Sequence, residues 1–411
     1  MGNVRDLPIM LQRRSKPIQS KGFYPFLTAQ FLSALADNAL LFAAIALIAS
    51  TNAPNWHEPL LLQFFVIAYV VLAPFVGAFA DAKPKGQVMF IANSIKFVGC
   101  IAMFFGLQPL YAYGIVGIGA AAYSPAKYGI LTELLHKESL VPANGWVEGL
   151  TVAAIILGAV IGGELASKEM DLSYSILIIS GLYLLAAIFN RYIPILPINH
   201  SLKKNTPWFL VKDFFKSFVK LGKDPLGQLS LAVTTLFWGA GATLRLVVIA
   251  WAAFAFNYGL DQATKLTAVV AFGVAFGAVI SSRYVRMEDS IKILPSGIIM
   301  GCLVCSMVFV SSWQMAALVL FAIGVMSGIL IVPMNALLQY RGHVLVGAGH
   351  SIAAQNFSEN LGILILSGTY TLMVGLQLPI NGIVFIFGLF VLLAMVIICL
   401  LYTSPSPRDR G

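Results

Sequence analysis

The sequence predicts an all-α membrane protein of twelve transmembrane helices in two pseudo-symmetric six-helix halves. Three observations predict it. First, 59% of the 411 residues are hydrophobic and 10% are charged, against about a quarter charged in soluble domains. Second, polar and Pro/Gly-rich punctuation divides the chain into twelve apolar runs, each near the ~20 residues that cross a bilayer. Third, two pairs of stretches repeat at nearly constant offset. "QFLSALADNALLF" (30–42) lies over "TLFWGAGATLRLV" (235–247), and "SPAKYGILTEL" (124–134) over "VPMNALLQYRG" (332–342), as in duplicated transporters.

The spans fall near 24–50, 59–81, 87–107, 109–132, 141–167, 172–193, 227–256, 261–284, 290–311, 312–340, 346–374 and 377–402. This gives an N-terminal arm (1–22), a first half (23–193), a linker (194–225), a second half (226–402) and a terminal segment (403–411). Lys and Arg concentrate in the N-terminal arm, "DAKPKGQ", "HKE", the linker, "RYVRMEDSIK" and at Arg341, all on one side by span count; Lys168 and Lys265 are exceptions. Cytoplasmic loops retain such residues, so both termini are expected in the cytoplasm. The linker interleaves Trp208, Phe209, Phe214, Phe215 and Phe218 with lysines, the pattern of an interfacial amphipathic helix. The net charge of +9 follows from this bias and from anionic lipid, and no nucleic-acid partner is needed. The basic, proline-broken N-terminus does not read as a cleaved signal peptide. Cys100, Cys302, Cys305 and Cys399 lie in apolar runs and read as buried small hydrophobes, with no metal site or cofactor expected.

Ionisable residues inside spans carry the functional reading, because a charge at the bilayer centre costs at least about 2.5–3.5 kcal/mol. Asp37, beside Asn38, lies mid-span in the first run; Lys127, Glu148, Arg245 and Glu359 occupy later ones, and Asn335 and Asn356 add amides. Lys96 reads as snorkelling towards the cytoplasmic end of its span, with an ion pair as the alternative. Asp37, Lys127, Arg245 and Asn335 fall on repeat-equivalent spans, which in a six-plus-six transporter face one central path. An ionised Asp37 at that depth needs a cation, and Arg245 on the equivalent helix is the expected partner across the halves. Pro125 and Pro333 precede Lys127 and Asn335 by two residues and predict helix kinks there. The small residues of "GIVGIGAAA" (114–122) and "LFWGAGATL" (236–244) are expected to leave room for an apolar ligand tail. The loop "GAFADAKPKGQ" (77–87) offers Gly77, Asp81 and Lys85 as a clamp on neighbouring helix ends, a cytoplasmic gate.

This loop resembles the motif between the second and third spans of the major facilitator superfamily, with Gln87 where a basic residue is common. Five blocks in order narrow the likeness: "QFLSALADNALLFA", "GAAAYSPAKYGIL", "LFWGAGATLRL", "VPMNALLQYRG" and "VGAGHSIAAQNFSEN". Together they resemble the bacterial lysophospholipid transporters of that superfamily. The resemblance implies the major facilitator fold and flipping of lyso forms of phosphatidylethanolamine and phosphatidylglycerol from the outer to the inner leaflet of the bacterial inner membrane. It implies a monomer in membrane lipid and a separate acyltransferase that reacylates the product. It also implies headgroup contacts for Asp37, Lys127 and Arg245. The terminal "LYTSPSPRDRG" departs from the family's short tail and reads as non-native sequence. A cation-coupled multidrug or metabolite porter, with Asp37 and Glu359 as proton carriers, is the alternative within the superfamily. An integral acyltransferase is disfavoured because no His is followed by Asp with four residues between, and without a GxxxxGK[ST] loop direct ATP use is not expected.

Overall fold

The computed structural model describes residues 22–50, 57–165, 171–196, 206–257 and 260–403; nearly all of the N-terminal arm and the terminal segment lie outside these. The described residues form thirteen α-helices. The first six are α1 (Phe23–Ser50), α2 (His57–Asp81), α3 (Lys85–Phe104), α4 (Pro109–Leu134), α5 (Leu140–Leu165) and α6 (Leu172–Asn190). Helix α7 (Pro207–Lys223) follows, then α8 (Pro225–Phe256), α9 (Leu260–Tyr284), α10 (Pro295–Ser306), α11 (Trp313–Leu345), α12 (Ala348–Gly375) and α13 (Ile380–Thr403).

Helix α7 lies inside the expected linker and stands between two sets of six. Its Phe214 and Leu221 are buried, whereas Trp208 and Lys212, Lys216, Lys220 and Lys223 are exposed. Among the described residues nine helices are long and apolar enough to span a bilayer. Helices α4 and α12 fall outside that set; α4 carries Gly, Tyr, Pro and Ser as well as Lys127, and α12 carries Gln355, Asn356 and Glu359. The ninth expected span is a shorter α10 closed by a 3-10 turn over Met307–Phe309.

Small residues set the closest helix pairs, since in lipid packing and not hydrophobic burial drives helix association. Gly273 and Gly277 on α9 meet Gly324, Val325 and Gly328 on α11 so closely that a Cβ would strike the facing backbone. Pro333 sits inside an unbroken α11 and cannot donate to the carbonyl of Ile329. Ser281 of α9 donates its hydroxyl to that oxygen at 3.1 Å. We expect Ser281→Ala to destabilise the protein by about 1–2 kcal/mol, the cost of an orphaned buried acceptor, and expect Pro333→Ala to relieve that loss. A double-mutant cycle of thermal unfolding in detergent measures the coupling; strict additivity contradicts the assignment. Pro125 likewise lies within a continuous α4.

The two halves meet on the side where α7 lies. There α2 packs on α12 and α5 on α9 and α11, with Gly77 against Ala353 and Gly349, and Gly145 against Ser282. Asp224 caps the N-terminus of α8 through Gly227 N at 2.9 Å and is held by the Arg341 guanidinium from α11. The Arg341 bond, with help from Gly227 and Leu226 amides, keeps the Asp224 carboxyl below its ordinary range. A depressed carboxylate stabilises the fold above its unfolded value of about 4 and loses that contribution as pH falls through the folded value. The stability gap between wild type and Asp224→Asn, about 1 kcal/mol for a part-exposed pair, should therefore be full at pH 7 and close below about pH 4. Unfolding of both proteins across that range checks it; a gap that widens in acid contradicts it.

Candidate functional site

A cavity of about 330 Å³ lies between the halves, lined by residues of α1, α2, α3, α4, α5, α8 and α12. Asp37, Lys127, Asn356 and Glu359 of the predicted set line it. Phe65, Val66, Tyr69, Trp238 and Ile363 provide an apolar wall. Polar groups thus converge on one face of a site otherwise aromatic and aliphatic, the usual composition of an organic-ligand pocket.

The partner of Asp37 is Lys96. Its Nζ lies 2.7 Å from Asp37 Oδ2, while Tyr183 donates its hydroxyl to Oδ1 at 2.8 Å. Lys96 is 1% exposed. It also donates to Ser33 Oγ at 3.0 Å and sits over the rings of Tyr123 and Tyr183. Lys96 therefore does not snorkel; a carboxylate within reach and two ring faces hold it in place. The expected Asp37–Arg245 pair is absent. Arg245 is exposed and forms no ion pair among the described residues. Seven residues beyond Trp238, it falls on the same face of α8, about 10 Å further from the α7 side by helical rise. It is not among the residues that line the cavity.

Lys127 enters from α4, 3.4 Å from Thr151 Oγ1 and stacked over the Tyr128 ring. Beneath the cavity floor Glu148 accepts from Tyr128 at 3.3 Å and from Asn335 Nδ2 at 3.1 Å. Gln355 Nε2 donates to both Asn335 Oδ1 (2.9 Å) and Glu359 Oε1 (2.7 Å). Glu148 and Asn335 are buried and do not line the cavity; they join α5 to α11 across the halves. Asn38 turns away to donate to Ala34 O and packs against α5 at Gly158. Gly239 also packs, its Cβ position 3.0 Å from the Gly362 backbone, and Ala121 is fully buried. Gly239 and Ala121 therefore hold helices together, whereas Ala120 of the first stretch lines the cavity and Gly241 of the second borders open space.

A ladder of polar contacts seals the α7 side. Ser124 and Asn356 hydrogen-bond at 2.9 Å. Asn144 and Gln339 exchange two amide hydrogen bonds of 2.8 Å, both residues buried. Outermost, Asp81 accepts from Gly349 N at 2.6 Å and His350 N at 3.0 Å, and contacts His350 Nδ1 at 2.7 Å. The cap position of α12 is Gly347, with φ 98° and no side chain, so Asp81 of the other half supplies the anion that a helix N-terminus favours. Lys85 binds Asp81 at 3.0 Å and Glu133 at 3.2 Å. Gly77, Asp81 and Lys85 thus converge on one junction.

Tyr183, Ser33, Gln30, Thr151, Gln355 and Trp238 escaped the sequence reading, and Lys96 was read as snorkelling with the ion pair only as the alternative. Lys96 alone carried a signal: it falls near the middle of α3, where the desolvation argument applied to Asp37 holds equally.

The profile of the Major Facilitator Superfamily matches residues 26–367. A protein of Yersinia enterocolitica serotype O:8 / biotype 1B named lysophospholipid transporter LplT is 43% identical over 367 residues, 89% of this chain and 90% of that one. Its namesake in Yersinia pestis (strain Pestoides F) is 44% identical over the same shares. Among solved structures, the human organic anion transporter MFSD10 (TETRAN) superposes with TM-score 0.74 at 13% identity, covering 93% of this chain and all of that one. FucP in the outward conformation gives 0.74 at 14%, covering 93% and 99%. These two likenesses bear on the fold alone. With a profile that spans most of the sequence, relatives that run its length and two six-helix halves around one cavity, this chain belongs to the Major Facilitator Superfamily.

Proposed function

We propose that this protein is a lysophospholipid flippase, moving lysophosphatidylethanolamine and lysophosphatidylglycerol from the outer to the inner leaflet of the bacterial inner membrane. The carrying observation is the cavity that sets Asp37 and two ammonium groups, Lys96 and Lys127, against an aromatic wall, with Glu359 also in its lining. A zwitterionic phosphate–amine head has the complementary charges: phosphate to the lysines, amine to Asp37. The names of the relatives fit the same substrate. Arg245, exposed on α8 seven residues beyond the cavity-lining Trp238, would offer bidentate capture of an incoming phosphate. The positively charged α7 side is the cytoplasm, so both termini lie there and the sealed ladder makes this an outward-facing arrangement. Glu148, Asn335, Asn356 and Glu359 form the floor that parts when the cavity turns inward, with Pro125 and Pro333 as bending points beside it. Gly77, Asp81 and Lys85 are the cytoplasmic gate. The protein transports without chemistry; a separate acyltransferase consumes the product, and one chain encloses the whole site, so a monomer suffices.

Uptake of labelled lysophosphatidylethanolamine into proteoliposomes of the purified protein tests this, with and without sodium or proton gradients. Saturable uptake above protein-free vesicles is expected. No lysolipid uptake, with gradient-driven accumulation of a soluble cationic drug instead, would replace this reading by a cation-coupled porter.

A further inference from the structure

The junction at Asp81 has a third participant that the gate does not need. His350, at the first turn of α12, presents Nδ1 to Asp81 Oδ2 at 2.7 Å and Nε2 to Asp213 Oδ2 at 3.3 Å. Asp213 belongs to α7, so one imidazole joins the first half, the second half and the linker helix. The same helix pair is cemented by Phe357 of α12, which meets Phe214 and Phe218 of α7 edge-on at 5.7 and 5.9 Å. Lys220 of α7 caps the C-terminal carbonyl of Leu345 on α11 at 2.6 Å. Helix α7 thus straps the second half on the cytoplasmic side.

The state of the imidazole decides whether the strap holds. A neutral ring carries one N–H, so the nitrogen facing the second carboxylate would present a lone pair to it; only the imidazolium donates at both. Nε2 is buried and makes no hydrogen bond; the Asp213 carboxylate, 3.3 Å away, stands beside it as an ion-pair partner outside hydrogen-bond alignment. The ionisable groups around the ring are Asp81 on α2, Lys85 on α3, Glu133 on α4 and Asp213 on α7. Three carboxylates face one lysine, so a neutral His350 leaves the cluster doubly negative and a charged one leaves it singly so. Asp213 is one-third exposed while His350 is 7% exposed, so cytoplasmic protons reach the ring along the α7 edge.

We propose that His350 is a protonation-dependent latch: as imidazolium it ties the linker helix α7, through Asp213, to the Asp81 gate, and loss of its proton frees α7 and lets the cytoplasmic side open. Cytoplasmic acid therefore holds the transporter shut on that side. This does not rest on the substrate, and its test uses none.

Spin labels at Lys83→Cys and Val344→Cys, on opposite halves of the cytoplasmic face and both exposed, report the opening in a full-length background whose four cysteines are replaced by alanine. Raising the pH from 6 to 9, an interval that spans the ordinary imidazole range, should grow the longer-distance population at least about threefold. Asp213→Asn should show the longer distance already at pH 6, a gain that misfolding cannot mimic. His350→Gln should be insensitive to pH. A parent distribution unchanged between pH 6 and pH 9, or an Asp213→Asn protein that keeps the parent's pH dependence, overturns the latch.

Discussion

Lys96→Met abolishes transport and destabilises the protein by about 3 kcal/mol, the low end for breaking a buried ion pair. The low end applies because the surviving partner, Asp37, keeps its Tyr183 hydrogen bond and has a side chain 21% exposed to the cavity. The reverse deletion, Asp37→Leu, is the harsher one: it leaves an ammonium group that is 1% exposed, held only by Ser33 and two ring faces. The order of the two losses is therefore fixed by burial. The double substitution Asp37→Leu with Lys96→Met should recover most of the folding loss, since an apolar pair of similar volume often replaces a buried ion pair without penalty. Transport should not return, because the amine then has no partner and the phosphate keeps Lys127 but loses Lys96. Thermal unfolding in detergent and proteoliposome uptake, on the same three proteins, read the two effects apart. Equal stability of all three would show that the pair is a solvated contact.

Asp81→Ala carries the other large effect, on the balance between outward- and inward-open forms. One carboxylate accepts both free amides at the start of α12, contacts His350 and pairs with Lys85. All but the Lys85 contact cross between the halves, so the loss falls on the closed arrangement and not on either half alone. A charged cap and an ion pair together contribute about 3 kcal/mol, enough to move a two-state population by roughly a hundredfold. The inter-half distance on the cytoplasmic face should shift to the longer value at every pH, and net uptake should fall because the cavity is seldom exposed outward. Asp81→Asn keeps acceptor geometry at one oxygen and should lie between the two. A wild-type distance distribution in Asp81→Ala would leave the ladder at Asn144–Gln339 and Glu148–Asn335 as the sole seal.

Composition and the position of charges made the architecture legible, because lipid permits so few backbone solutions. Helix α7 was visible as aromatics alternating with lysines. Lys127 and Glu359 were legible as charges inside otherwise apolar runs. The pairing of Asp37 was not legible. Repeat symmetry placed Arg245 opposite it, but symmetry relates helices and not side-chain contacts: a lysine of the same half, Lys96, reaches the carboxylate, and Arg245 stays exposed. Lys96 looked able to escape to the interface because sequence gives depth along a helix and not the rings that block the way. His350 and Asp213, 137 residues apart in the sequence, carried no local pattern at all. The glycines of "LFWGAGATL" read as open space, yet Gly239 exists to admit the backbone of Gly362; absence of a side chain is the same signal for a void and for a close approach.

In the proposed transporter one cavity reads both ends of a lysolipid head, with Asp37 on the amine. The direct measurement is uptake of lysophosphatidylethanolamine and lysophosphatidylglycerol by wild type and Asp37→Asn in matched proteoliposomes. Asparagine keeps an oxygen for Lys96 and Tyr183 but loses the charge that an ammonium group needs, and the glycerol head has no amine. Asp37→Asn should lower lysophosphatidylethanolamine uptake at least about tenfold, the 1.4 kcal/mol of one charge-assisted hydrogen bond, and spare most lysophosphatidylglycerol uptake. Equal loss of both lipids would contradict the amine contact and leave Asp37 as a lock for Lys96.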